Sequence, residues 1–328
     1  MKRFYVLTSL LAVAIGASAQ QDVQVAKVPK DHYKAVPKIR QAESMPEVES
    51  QAIPTVVSQS HKFNPEAALR MTYYEEVIGL SRYDLQSNAS VQNRLAKTGL
   101  NMSAGFTFSL QDVDYTDRGT GYNYYGNDES WEEELPYERL EDVRVGWPSV
   151  MHTGSGKEVI ITHDGTLDLY MVSRDMNSGD DWTQAAIPNP SGRDLIWPRA
   201  CAGGADGNSI HLIVVTEPIA NGGTEYEGLD GALIYYRSTD QGATWDIQGE
   251  ILPGTDSLSF LGYTGDAYYI GSNGDRIAFA VFNDFADSYV MISEDNGDTW
   301  TKRTLVDFPV DLYVVDTGID LNEDAAAD

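Results

Sequence analysis

The apolar positions of this chain fall in short runs separated by Gly, Asp, Asn and Ser, and from Val77 onward the pattern is that of β structure. One series begins at Trp147-Pro148-Ser149-Val150 and continues through Glu158–His163 and Leu167–Val172 to a polar corner closed by Trp182. A second begins at Trp197-Pro198-Arg199 and continues through Ile210–Val215 and Ala232–Tyr236 to a corner closed by Trp245. A third begins near Phe260 and continues through Arg276–Phe282 and Ser288–Ile292 to Trp300. An earlier, degenerate series uses Ala104–Leu110, Gly121–Tyr125, the turn Gly126–Ser130 and Trp131. The closing tryptophans are 51, 63 and 55 residues apart. Four strands recurring at such a period predict an all-β propeller built of four-stranded blades.

The corners share a phrase. Ser238, Asp240, Gly242, Thr244 and Trp245 occupy the same places as Ser293, Asp295, Gly297, Thr299 and Trp300, in the pattern S-x-D-x-G-x-T-W. A looser copy is Ser173, Asp175, Gly179 and Trp182, with two extra residues between Asp and Gly. The chemistry is that of a turn. The Asp carboxylate accepts amides further along, Gly supplies a positive φ, the hydroxyls satisfy remaining donors, and Trp sets an apolar ring at the start of the next strand. These aspartates read as structural, since a calcium loop needs more oxygen ligands than the phrase supplies.

Residues 1–19 read as a signal peptide: Lys2 and Arg3, an apolar stretch from Phe4 to Gly16, and the small-residue site Ala17-Ser18-Ala19. The expected location is therefore secreted or at the cell surface, with no membrane span after cleavage. Residues 20–75 read as a linker, with a short helix expected from Asn64-Pro65-Glu66 to Glu76. Residues 76–328 carry the β pattern. The net charge of −27, with 50 acidic against 23 basic residues, argues against nucleic acid as a partner. The single cysteine, Cys201, reads as a small buried hydrophobe, and no His or Cys spacing suggests a metal site. No cofactor is expected.

The repeated S-x-D-x-G-x-T-W phrase after a strand resembles the Asp-box, or BNR repeat, of the sialidase-like β-propellers. Asp117–Tyr124 and Arg144–Ser149 also look like segments of uncharacterised exported propeller proteins. The resemblance implies a radial fold, usually of six or more blades. Four are visible, so an incomplete propeller truncated at its C-terminus is expected. It also implies a ligand face formed by the strand-two-to-three loops and the connections between blades. The candidates there are Arg118, Arg144, Trp147, His163, Asp164, Trp197, Arg199, Glu217 and Asp284. Sialidases clamp a carboxylate with three arginines and use a Tyr nucleophile assisted by Glu, with an Asp as acid/base. Their first-blade R-I-P signature has no full counterpart here, because Arg144 stands four residues before Pro148.

Each candidate has a plainer reading. Arg144 is equally explained by a salt bridge to Glu141 or Asp142, and Trp147 and Trp197 by packing between blades rather than sugar stacking. His163-Asp164 is explained by a turn rather than an acid/base pair, and Glu217 and Asp284 by solvated loops. The expectation is a protein that binds a glycan or a cell-surface partner, with an exo-sialidase-type glycoside hydrolase and a structural repeat of a larger surface protein as alternatives.

Overall fold

The computed structural model describes residues 75–314, apart from 88, 89, 92, 127, 165–167, 180 and 264. The signal peptide, the linker up to residue 74 and the acidic segment 320–328 lie outside the described residues. So does most of the expected helix, whose last two positions, Glu75 and Glu76, are not helical. No helix among the described residues is long and apolar enough to cross a membrane.

The fold is an all-β propeller. The first sheet contains β1 (Leu95–Thr98), β2 (Asn101–Phe108) and β3 (Gly119–Tyr125) in that order. Trp131 forms only an isolated bridge with Tyr125 where a fourth strand would lie. The second sheet is β4 (Val145–His152), β5 (Lys157–Asp164), β6 (Leu169–Asp175) and β7 (Thr183–Ala186). The third is β8 (Leu195–Gly203), β9 (Ser209–Thr216), β10 (Leu233–Ser238) and β11 (Ile247–Glu250). The fourth is β12 (Tyr268–Asn273), β13 (Arg276–Val281), β14 (Ser288–Ser293) and β15 (Thr301–Val306). All neighbouring strands are antiparallel.

Burial follows a radial gradient. Every residue of β9 is buried, because both faces of its sheet are covered, and its sequence Ser-Ile-His-Leu-Ile-Val-Val-Thr is correspondingly apolar. The outer strands β7, β11 and β15 are mostly exposed and carry Gln, Glu, Lys and Arg, which discourages pairing at the open edge. The innermost strands β1, β4, β8 and β12 meet at a hub. Asn93 pins it: its carbonyl accepts Val150 N–H (2.7 Å), its Nδ2 donates to the Ala200 carbonyl (2.7 Å), and its Oδ1 accepts Tyr269 O–H. Ser90 Oγ lies 2.7 Å from the carbonyl of Asp266 and 2.6 Å from that of Tyr268. One short segment thus touches the second, third and fourth sheets.

The two full corners have the same geometry. Ser238 Oγ donates to Asp240 Oδ1 (2.8 Å) and accepts Gly242 N–H (2.8 Å). Asp240 then accepts Thr244 N–H (2.8 Å) and Thr244 O–H (2.7 Å). Ser293, Asp295, Gly297 and Thr299 repeat each bond at 2.6–2.9 Å. The residue after each Asp has a left-handed backbone and reaches the preceding sheet. Gln241 (φ 60°) accepts from Ser155 Oγ at 2.7 Å, and Asn296 (φ 58°) bonds His211 Nε2 at 3.0 Å. In the second sheet the equivalent Asn177 (φ 64°) accepts Tyr124 O–H at 2.9 Å.

The looser corner is organised differently from the Asp-centred pattern expected for it. Arg174, buried between the first and second sheets, donates to Glu158 Oε2 (2.6 Å), to Tyr122 Oη (2.8 Å) and to the Gly179 carbonyl. Its guanidinium lies 4.5 Å from the centre of the Trp182 ring. The two inserted residues widen the loop, and a cation with its carboxylate holds this corner.

Two strand expectations are corrected. The described residues between 75 and 94 lie outside the named strands, and the first ladder begins at Leu95. The fourth sheet starts at Tyr268 rather than near Phe260. Phe260 is buried in the connection, where Gly262 (φ 155°) pairs with Asp230 so closely that a Cβ would sit 1.8 Å from the Asp230 carbonyl oxygen. A backbone approach of that kind bends the chain and delays the strand.

Candidate functional site

At the hub, β4 and β8 carry the same irregularity. The ladder register shifts between Gly146 and Ser149 and again between Ile196 and Arg199. In both places a Trp with positive φ (56° at Trp147, 57° at Trp197) precedes a Pro. Proline has no N–H to give the ladder, so the bulge sits where least pairing is lost. A left-handed tryptophan costs about 1–2 kcal/mol, and such strain gathers where a side chain must be aimed.

Trp147 is aimed into the hub. Its Nε1 donates to Asp266 Oδ2 (3.2 Å), and its ring stands edge-on to Tyr83 (6.4 Å) and to the imidazole of His163 (6.2 Å). Asp266 also takes the Nη2 of Arg199 at 2.7 Å, in an ion pair with both side chains shut off from solvent. Arg199 lies 5.5 Å from the Tyr268 ring centre, and Tyr268 donates to the Trp197 carbonyl (2.7 Å). Second, third and fourth sheets are joined through these groups.

Around this pair stand cations without carboxylate partners. Arg94, Arg118 and Arg144 form no ion pair among the described residues. Arg144 Nε donates to the Tyr115 carbonyl (3.0 Å) rather than to Glu141 or Asp142. Arg118 Nε donates to the Val145 carbonyl (3.0 Å), and its guanidinium lies 5.6 Å from the Tyr83 ring centre. Burial first, and then Arg144, lower the Arg118 pKa. Arg94 spends Nη2 on the Gln86 carbonyl (2.6 Å) and Thr107 Oγ1 (3.3 Å), while its Nε and Nη1 are buried with no partner. Burial, aided by repulsion from Arg199, pulls this guanidinium down to about 9. It lines a cleft of about 540 Å³ shared with Tyr83 and Gln86.

His163 completes the arrangement. Both ring nitrogens are buried and unpartnered. Burial, then repulsion from Arg118, pushes its pKa down to about 3, so the ring is neutral near pH 7. Asp164 follows it at the end of β5. A neutral imidazole among uncompensated guanidiniums has no internal acceptor to satisfy it. The chemistry that fits is an anion with oxygen acceptors.

Of the sequence candidates, Arg118, Arg144, Trp147, His163 and Arg199 converge, with Asp164 and Trp197 at their margin. Glu217 and Asp284 are placed elsewhere. Glu217 lies by Asp194, where burial and that neighbour raise its pKa, and Asp284 lines a cleft over the fourth sheet. Arg94, Tyr83 and Asp266 were not signalled by the repeated strands. All three lie outside the strands, Arg94 just before β1 and Asp266 just before β12, so the repeat gave no signal for them.

No protein-family model matches the sequence, and no curated protein matches it. Among solved structures the chain is similar to a family 117 glycoside hydrolase of the marine bacterium Zobellia galactanivorans, at 12% identity over 71% of this chain and 76% of that one, with a TM-score of 0.45. It is similar to the six-bladed β-propeller lectin of Aleuria aurantia, at 12% identity over 65% of this chain and 61% of that one, with a TM-score of 0.41. A polysaccharide lyase of family 25, an ulvan lyase, gives 12% identity over 65% and 55%, with a TM-score of 0.40.

Proposed function

We propose that this chain is a secreted, Asp-box β-propeller that binds a glycan or a glycan-bearing cell-surface partner, seating an acidic group of the ligand at the hub. The observation that carries this reading is the set of buried nitrogens without a partner, Nε and Nη1 of Arg94 and both ring nitrogens of His163, in a chain whose net charge is −27. Uncompensated cations in an acidic protein are costly unless a ligand repays them. The carbohydrate class rests on the resemblance of the corners to sialidase-like propellers.

The test is a glycan array carrying carboxylated, sulfated and neutral sugars, probed with the full chain and with Arg118→Ala. Retention of acidic sugars only, lost in the variant, is the expected result. Equal retention of neutral sugars by both proteins would overturn the reading.

A second reading, an exo-sialidase-type glycoside hydrolase, is favoured by Tyr83, whose ring lies under Arg118 and beside Trp147. Its assay is release of a fluorogenic sialoside, with Tyr83→Phe and Arg144→Ala as controls. Turnover abolished by Tyr83→Phe would establish it, and absence of turnover alongside retention on the array would remove it.

A further inference from the structure

The cleft over the fourth sheet has a composition unlike the hub. It holds about 700 Å³, between the connection residues 259–263, 265 and 267, the loop 282–286 and residues 312–314, a size within the range of small-molecule sites. Its floor includes Tyr268 and Tyr313, both buried. On its rim stand Phe282 and Phe285, whose exposures are 57% and 49%. Phe285 is 5.8 Å from the Tyr313 ring and 6.4 Å from that of Phe308.

The loop bearing these rings is held in place by its own hydrogen bonds. Phe282 N–H donates to the Ala267 carbonyl (2.9 Å), and Asn283 Nδ2 donates to the Asp287 carbonyl (2.8 Å). Asp287 Oδ1 accepts Phe308 N–H (2.9 Å). These bonds anchor the loop at both ends, to the connection before β12 and to Phe308 after β15, so Phe282, Asp284 and Phe285 are displayed on a held support, which lowers the entropy lost on binding. The charged side chains lining the cleft, Asp230 and Asp284, are both acidic.

We infer that this cleft is a second sugar subsite, taking a neutral pyranose ring that is joined to the acidic residue held at the hub. Three features select that occupant. Aromatic faces suit the C–H face of a flat sugar ring. Carboxylates accept hydroxyl protons and repel a second acidic sugar. The cleft also adjoins the hub through a shared wall: Tyr268 lines it and lies against Arg199, and Asp266, the partner of Arg199, falls between the cleft residues Gly265 and Ala267. In its shared ligand the inference rests on the hub reading above. The ligand is then an oligosaccharide in which an acidic unit adjoins a neutral one.

The experiment uses three probes with the full chain: glucuronic acid, cellobiose, and cellobiouronic acid, in which glucuronic acid is linked to glucose. Calorimetry is run on the natural sequence, Phe282→Ala/Phe285→Ala, Phe282→Trp and Arg94→Ala. Both phenylalanines are half-exposed, so their removal leaves the core intact. Cellobiouronic acid should bind about tenfold more tightly than glucuronic acid. The double Phe variant should erase that gain and leave glucuronic acid binding unchanged. Phe282→Trp should retain the gain and report the ligand by a change in indole fluorescence. A missing gain, or one that survives the double Phe variant, overturns the subsite while leaving the hub reading intact. Phe-dependent cellobiose binding without any glucuronic acid binding supports the subsite and removes the hub reading. Failure of all three probes overturns both. Self-association that disappears in the double Phe variant and ignores all three sugars would assign the cleft to a second copy of the chain, and would also overturn it.

Discussion

Replacing Arg94 with methionine is expected to leave the stability of the unliganded protein nearly unchanged and to abolish the acidic-sugar binding proposed for the hub. The buried Nε and Nη1 have no acceptor, and the guanidinium is pulled from the ordinary arginine range down to about 9 mainly by loss of solvent. A displacement of that size corresponds to about 5 kcal/mol, at 1.36 kcal/mol per pH unit. An arginine keeps its proton at neutral pH all the same, so the penalty is borne by the folded state. Against it stand the two bonds from Nη2 to Gln86 and Thr107, worth about 1.5–3 kcal/mol each for a charged donor, or about 3–6 kcal/mol together. Methionine replaces the apolar stem. Penalty and bonds nearly cancel, so the net expectation is a stability within about 1 kcal/mol of the natural sequence, a change in Tm of no more than roughly 2–4 °C for a domain of this size. Loss of the charge should weaken binding by about 2–5 kcal/mol. Urea unfolding with and without ligand, on the natural sequence and the variant, measures both terms. A variant that loses a kilocalorie or more of stability while still binding acidic sugars refutes the reasoning.

Asp266→Ala strands Arg199 without its partner and frees the Trp147 N–H, so a loss of about 3–5 kcal/mol is expected in denaturant titration, and Asp266→Asn should fall between the two. Gly242→Ala combines a φ of 88° with a Cβ 2.6 Å from Met171 Sδ, and should lower the unfolding midpoint more than Gly179→Ala, where φ is 72° and nothing lies within 4 Å. His163 and His211 are held neutral, the latter's pKa lowered to about 4 chiefly by burial. The unfolded chain protonates first, so stability present above pH 6.5 should fall as pH drops toward 4, by up to about 1.4 kcal/mol per pH unit for each ring, and His163→Phe should flatten that limb in pH-dependent unfolding. Asp295, whose bonds to Thr299 hold its carboxyl at about 2, contributes stability present above the ordinary Asp range and lost only as pH falls through about 2, so Asp295→Ala should weaken the fold at pH 7 and be indistinguishable from the natural sequence in strong acid.

The strands were legible where local chemistry repeats. Alternating or continuous apolar runs ending in a polar corner closed by Trp, with the full Asp-x-Gly-x-Thr-Trp phrase in the third and fourth sheets, marked the second, third and fourth sheets, because each run and its corner are specified by neighbours in sequence. The start of the fourth sheet was misplaced because Phe260 is apolar for a tertiary reason: it fills a connection, while the true strand Tyr-Tyr-Ile-Gly-Ser-Asn is half polar. The corner at Asp175 misled in the same way, since the decisive cation, Arg174, pairs with Glu158 on another strand. At the hub, Arg118, Arg144, Trp147, His163 and Arg199 could be nominated from their places in the repeat. Arg94 and Asp266 could not, because what distinguishes them is the absence or presence of a partner far away in the chain.

The backward reach of Asn177, Gln241 and Asn296 gives assembly a direction. Each turn latches onto a sheet made earlier in the chain, so a newly emerging unit finds its receptor already in place, whereas the reverse order would leave that latch with nothing to grip. Construction from the N-terminal side is therefore favoured, and failure under force or heat should begin at the last-added unit and run back toward the first.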